Sequence, residues 1–320
     1  MVAEWESARK KPNYTPPFKV VTPSDSGANN KGCFMVATRN IMPGEAILVE
    51  EPLLELPHQL IHESVQKDPN YIQTQKDVIH FVQLGKTKTL SADEKFQYKL
   101  ALRRMEEMRL KPFVEAQHPD TQDQIWDLAD GQNVFQTGDK VMVHSLQSQE
   151  GRKLNGKFGR VLDKDEKDPK RWGIALDMRH KATQVRSIQP KNLKSLYGIM
   201  RTNGFQSTNG TQAVLYKTCS RINHACLSAS NAARGEVNGK ACLIPMKCIR
   251  EGEEILIDYI TGHEGGTGTT GRVEELEQRY NFVCDCAGHH NNESNGSPQL
   301  PPGFNIEELV RGVMAMNAEK

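Results

Sequence analysis

Ser220-Arg221-Ile222-Asn223-His224-Ala225-Cys226 and, further along, Ile255-Leu256-Ile257-Asp258-Tyr259 are the stretches on which the fold of this chain turns. Alone, Asn223-His224 is a turn with a satisfied buried histidine, and Asp258-Tyr259 ends an apolar strand with a core tyrosine. A third stretch, Tyr280-Asn281-Phe282-Val283-Cys284-Asp285-Cys286, shifts that balance. Cys284 and Cys286 stand too close for easy mutual bridging and read as a metal-ligand pair. Asparagine, histidine, tyrosine and paired thiols occurring together point to a reaction centre beside a metal site.

Working outward, Ile249-Arg250-Glu251-Gly252-Glu253-Glu254 leads into the Asp258-Tyr259 strand. Upstream lie Lys31-Gly32-Cys33-Phe34-Met35-Val36-Ala37, the turn Pro43-Gly44-Glu45, and Thr202-Asn203-Gly204-Phe205. In this order, over residues 18–286, the motifs resemble those of SET-domain methyltransferases. The likeness is greatest to the SMYD-like branch, whose SET domain is split by an insert, although no Cys/His array marks a MYND finger.

The resemblance implies a mainly β, α+β pseudoknotted fold that holds S-adenosylmethionine on one face and admits lysine through a narrow channel from the other. Carried over by position, Lys31 and Cys33 touch the cofactor's methionine end, and Gly32 lets the backbone come close. Asn203, Ser220, Asn223 and His224 bind its polar edges. Tyr280 and Phe282 flank the adenine, and Tyr259, which also borders the cofactor, is the catalytic tyrosine. In the family, Cys-x-Cys-x-x-Cys joins a cysteine of the Asn-His motif around one zinc. Cys226, Cys284 and Cys286 match that set here, with His289 at the fourth position and His290 in reserve. Three thiolates and one imidazole suit tetrahedral Zn²⁺. The implied activity is lysine N-methylation of a histone or non-histone protein, and the rival reading is a catalytically weak SET-like scaffold that recognises a protein.

The sequence departs from the family pattern twice. Phe34 stands where the opening strand normally carries a second glycine, and Leu227-Ser228-Ala229-Ser230-Asn231 replaces a shorter, proline-containing run after Cys226. A formal dinucleotide fingerprint, Gly266-Thr267-Gly268-Thr269-Thr270-Gly271, has no second parallel strand to complete a βαβ unit and reads as a linker.

The rest of the chain sorts by pattern. Residues 1–17 are polar and Pro-punctuated, and 18–136 form the first part of the SET domain. Within that part, 58–130 carry helical spacing for two to four helices, with Ser91-Ala92-Asp93-Glu94 as a capping box. Residues 137–195 contain short strands at regular spacing and resemble an inserted SH3-like barrel. Barrels of this type bind peptide or nucleic acid, or only decorate a loop. Residues 196–282 form the second SET part, 283–303 a zinc segment and loop, and 304–320 a C-terminal tail with helical spacing.

Composition bounds the function. The 320 residues carry 41 Lys and Arg against 40 Asp and Glu, a net charge of +1, which speaks against a polybasic nucleic-acid or membrane-surface protein. No apolar run reaches the length of a spanning helix, so no membrane partner is expected. Seven cysteines, an odd number, argue against a disulfide framework and for a cytoplasmic or nuclear location. A monomer acting on a protein or peptide lysine is expected.

Overall fold

The computed structural model describes residues 15–22, 32–58, 61–131, 135–177, 184–207, 210–260, 269–280 and 282–286. Lys31, His289, His290, the glycine-rich residues 262–268 and the tail 304–320 lie outside them. Two compact units emerge: Met1–Glu55 with Phe205–Lys320, and Leu56–Gly204.

The first unit is built from small sheets. Phe18–Val21 pairs antiparallel with Phe34–Ala37, the residue that departs from glycine, Phe34, lying opposite Val21. In the second strand Met35 and Ala37 are buried and their neighbours half-buried, the period of two that a one-sided strand requires. A three-stranded antiparallel sheet follows the order Ala232–Val237, Lys240–Pro245, Leu48–Glu50. Its middle strand is buried almost throughout, because Ala241 and Leu243 pack into one apolar cluster and Cys242 and Ile244 into another, so both of its faces are covered. Asn238 and Gly239 join its first two strands with φ of 51° and 77°, the two-residue turn whose twist matches paired strands.

Asn223–His224 and Leu256–Ile257 form a parallel pair, with Asn223 opposite Leu256 and His224 opposite Ile257. Single bridges Val36↔Glu254 and Ile41↔Ile249 tie the same late segment to the opening strand. Met35, Ile41, Ile47, Tyr216, Ile249 and Ile255 form the sealed centre of this unit. A helix, Thr269–Tyr280, precedes the cysteine pair.

The second unit joins helices to one sheet. Pro69–Thr87, Ala92–Glu115, Pro119–Asp127 and Leu196–Asn203 are its longer helices. The Ser91 hydroxyl accepts from Glu94 N–H while the Glu94 carboxylate accepts from Ser91 N–H, closing the anticipated capping box. Half-buried Glu107 accepts the first free N–H groups of the last helix, from Leu196 at 3.2 Å and Tyr197 at 2.6 Å. Arg103 lies beside it, paired with Asp139 at 2.9 Å and almost fully buried.

The sheet is five-stranded and antiparallel, in the order Gln184–Ile188, Trp172–Leu176, Phe158–Lys164, Lys140–Val143, Leu193–Lys194. Val141, Val143, Val161, Ile174 and Leu193 are completely buried on its inner face. Gly159 is required in it, because a Cβ there would come within 2.7 Å of the Ala175 carbonyl oxygen. Backbone pairing among the described residues leaves Gln184–Ile188 and Leu193–Lys194 as edges, so the strands do not close into a ring.

Candidate functional site

The site grows from the Asn223–His224 strand of the first unit. The chain enters it through a 3₁₀ turn, Cys219–Arg221, held by one carboxylate: Glu50 accepts the N–H of Thr218 at 2.7 Å and of Cys219 at 2.8 Å. Burial and the Glu50 charge together push the Cys219 thiol far up, so it is a neutral core group. Ser220 sits half-buried in that turn. Asn223 Nδ2 donates to the Glu254 carboxylate at 2.8 Å, which fixes the amide across the strand pair.

Tyr259 is tied to the same strand at both ends. Its backbone N–H donates to His224 Nδ1 at 3.1 Å, and its hydroxyl donates to the Ile222 carbonyl at 2.5 Å. Burial first, then Tyr280 and Glu254, hold the phenol well above its ordinary range, so it is neutral at any physiological pH. Four rings gather here. Tyr259 lies 4.7 Å from Tyr280 and 5.1 Å from His224, while Phe282 lies 5.9 Å from His224 and 6.5 Å from Tyr259. Tyr280 and Phe282 are half-buried, which leaves part of their surface open.

Asp258, next to the tyrosine, turns inward with a side chain only 2% exposed. Its Oδ1 accepts the Ile260 N–H and its Oδ2 accepts Arg272 at 2.7 Å. Arg272 belongs to the helix Thr269–Tyr280, so this pair fastens the element that delivers Tyr280 to the ring cluster.

The thiols converge on the other side of His224. Ligand atoms of His224, Cys226 and Cys284 lie within 4.8 Å of one another, and the Cys226 N–H donates to Cys286 Sγ at 3.3 Å. A nitrogen that accepts the Tyr259 N–H carries no hydrogen, so the hydrogen of the neutral ring is on Nε2. Nε2 faces Cys226 Sγ at 3.6 Å and therefore donates to it. His224 is a support for the sulfur, not a lone pair aimed at a cation. Burial, then the neighbouring Cys286 and Cys284, push the Cys226 thiol far above its usual range. Thiols crowded in this way ionise together only around a cation, and three soft donors fit zinc in kind.

Cys33 receives a hydrogen bond from Arg221 Nη1 at 3.2 Å. A Cβ on Gly32 would meet no atom of the described residues within 4 Å. Asn203 belongs to the other compact unit, where its amide donates to the Ala129 carbonyl at 2.6 Å and the Ile199 carbonyl at 2.7 Å. Cys33, Ser220, Asn223, His224, Tyr259, Tyr280, Phe282 and the three cysteines thus share one unit.

The sequence reading passed over Asn231, Glu254 and Arg272. Asn231 is buried, accepts the Leu256 N–H at 2.8 Å and donates to the Glu254 carbonyl at 2.8 Å, locking the two late strands together. The lengthened run before it folds as a turn on Cys226, whose carbonyl accepts the N–H of Ala229 and Ser230. Glu254 carried a signal in the Glu253-Glu254 pair, whereas Arg272 follows a glycine-rich run that gave no hint of a partner.

No curated protein sequence matches the chain. Among solved structures it is similar to the SET domain of LSMT, a crystal structure bound to lysine and AdoHcy. Identity is 10% and the TM-score 0.34, over 88% of this chain and 56% of that one. The chain thus spans little more than half of that chain's length. The sequence profile of the SET domain matches residues 32–260, most of the chain, and the chain belongs to the SET-domain family.

Proposed function

We propose that this SET-domain chain is an S-adenosylmethionine-dependent protein lysine N-methyltransferase of the SMYD-like branch. The observation that carries the reading is Tyr259 held at both ends to the Ile222–His224 segment, inside a cluster of half-open rings. S-adenosylmethionine, when bound, supplies an electrophilic methyl group on a cationic sulfonium. Tyr280 and Phe282 offer ring surface to an adenine. Gly32, Cys33, Ser220, Asn223 and His224 offer polar or backbone groups nearby, with Lys31 and Asn203 as the remaining assignments. Tyr259, neutral and fixed, orients the incoming amine without acting as a base.

Direct displacement needs no enzyme nucleophile, so alignment of amine, methyl and sulfur supplies most of the acceleration. The lysine must lose its proton first. Its free pKa near 10.4 makes that cost about 4–5 kcal/mol at neutral pH. An apolar channel beside a cation lowers the cost by desolvation and like-charge repulsion.

We assign Cys226, Cys284, Cys286 and His289 to one structural zinc. Residues 137–195 are assigned to an SH3-like module with an open seam, inserted in a SET domain that runs from 18–136 to 196–282. The chain is taken to act as a monomer in the cytoplasm or nucleus. No described helix is long and apolar enough to cross a membrane.

The test is methyl transfer from labelled S-adenosylmethionine to a lysine peptide array, with Tyr259→Phe as control and calorimetry of cofactor binding beside it. Saturable binding and Tyr259-dependent labelling support the reading. Absence of binding, or binding that Asn223→Ala leaves unchanged, rejects it in favour of a scaffold.

A further inference from the structure

The five-stranded sheet has an edge that is not smooth. A groove of about 370 Å³ lies along Gln184–Ile188, walled on its other side by the segment from Leu146 to Lys157. Arg186 and Ser187 are adjacent in the strand and so point to opposite faces, yet both line the groove. A groove reached from both faces of a strand runs along its edge. That strand pairs with Trp172–Leu176 on one side only among the described residues.

The walls are basic. Lys153, Lys157, Arg171 and Arg186 line the groove, against Glu150 alone. Glu150 is paired with Lys153 at 2.6 Å, and Arg171 is braced by the hydroxyl and carbonyl of Ser187, its charge also felt by Asp165. Arg186 is exposed and makes no ion pair among the described residues. Positive charge on an edge strand also discourages pairing between like chains, while leaving the edge open to an opposite charge.

We infer that this seam is a docking groove for an extended acidic segment of a partner protein, added as a further strand on Gln184–Ile188. Main-chain bonding at the positions other than the Ser187 carbonyl, which Arg171 already holds, supplies part of the affinity, and charge supplies the rest together with the selectivity. The strand offers roughly 17 Å of edge, enough for about five residues. Single-stranded nucleic acid is the less suited occupant, because among the described residues no aromatic side chain lines the groove to stack a base. The inference stands independently of methyl transfer, since every residue in it belongs to the Leu56–Gly204 unit.

The test is fluorescence anisotropy on the full chain with three labelled probes: a short peptide alternating glutamate and valine, the same peptide with prolines replacing the valines, and oligothymidine. The alternating peptide is expected to bind saturably, and to weaken with salt. Arg186→Glu should weaken it about tenfold or more, ~1.4 kcal/mol, whereas Lys247→Glu, an exposed change in the other unit, leaves it unchanged. Circular dichroism confirms that Arg186→Glu is folded, and Arg186→Ala gives an intermediate loss. No saturable binding overturns the inference. So does equal binding of the proline peptide, which shows charge without strand addition, or tighter Arg186-dependent binding of oligothymidine, which shows a nucleic-acid site.

Discussion

His224 Nδ1 accepts the backbone N–H of Tyr259 at 3.1 Å, and that bond decides what the rest of the imidazole can do. With the hydrogen on Nε2, 3.6 Å from Cys226 Sγ, the ring links the tyrosine strand to the thiols while coordinating nothing itself. Partners that orient a ligand change metal affinity by about 10–100-fold when removed, whereas a lost ligand abolishes the site. Metal analysis should therefore find zinc in the wild-type chain and none in Cys226→Ser or Cys284→Ser. His224→Ala should keep the ion but yield it to a weaker chelator. Equal loss in His224→Ala and Cys284→Ser would place His224 among the ligands.

Tyr259→Phe removes one hydroxyl whose visible bond is to the Ile222 carbonyl. That loss should lower stability by only about 1 kcal/mol, because the ring and its neighbours stay packed. Methyl transfer should fall about 10²-fold or more, as when one positioned polar group is lost from a reaction centre. Since the phenol is held above its ordinary range, the wild-type rate should climb with pH as the substrate amine deprotonates, with no descending limb before about pH 10. A descending limb near neutrality that vanishes in Tyr259→Phe would mean that the phenol titrates.

Asp258 and Arg272 make a buried pair in which the acid is the more enclosed partner, at 2% against 19% exposure. Removing the arginine alone strands a charge away from water. Arg272→Ala should cost about 3–5 kcal/mol in urea unfolding, and Arg272→Met with Asp258→Asn clearly less. The single change should also loosen the helix that carries Tyr280, read as weaker binding of S-adenosylmethionine. Comparable losses in the single and double variants would show that the pair contributes by attraction rather than by mutual neutralisation.

Much of this was legible in the chain, in ways that differ by element. The capping box at Ser91 and Glu94 is a local rule, visible without a fold, whereas Phe34–Ala37 is apolar throughout and its alternating burial belongs to the folded chain. Asn223, His224 and Tyr259 were legible as a set, although none is informative alone. The strand Ala232–Val237 was missed because alanine and glycine hide its pattern, yet Asn238-Gly239 was a hairpin signal standing in plain view. Asn231 and Arg272 could not be found this way. Their roles depend on partners that only the folded chain brings near: Leu256 and Glu254 for one, Asp258 for the other.

The acid at the heart of the other unit gives a test that needs neither cofactor nor substrate. Burial lifts Glu107 from 4.5 to about 7, against the opposing pull of the Tyr197 N–H and Arg103 and with a further push from Asp139. A carboxyl whose folded value is raised binds its proton more tightly folded than unfolded. Its contribution to stability is therefore complete below about 4.5 and is lost as the pH rises through about 7. Glu107→Gln keeps a carbonyl for one of the two N–H groups but cannot titrate. The stability gap between wild type and Glu107→Gln, from urea titrations across that range, should be widest in acid and narrow towards neutrality. A gap that widens instead would mean that Glu107 is ionised in the fold, held so by Arg103 and the two N–H groups of the last helix.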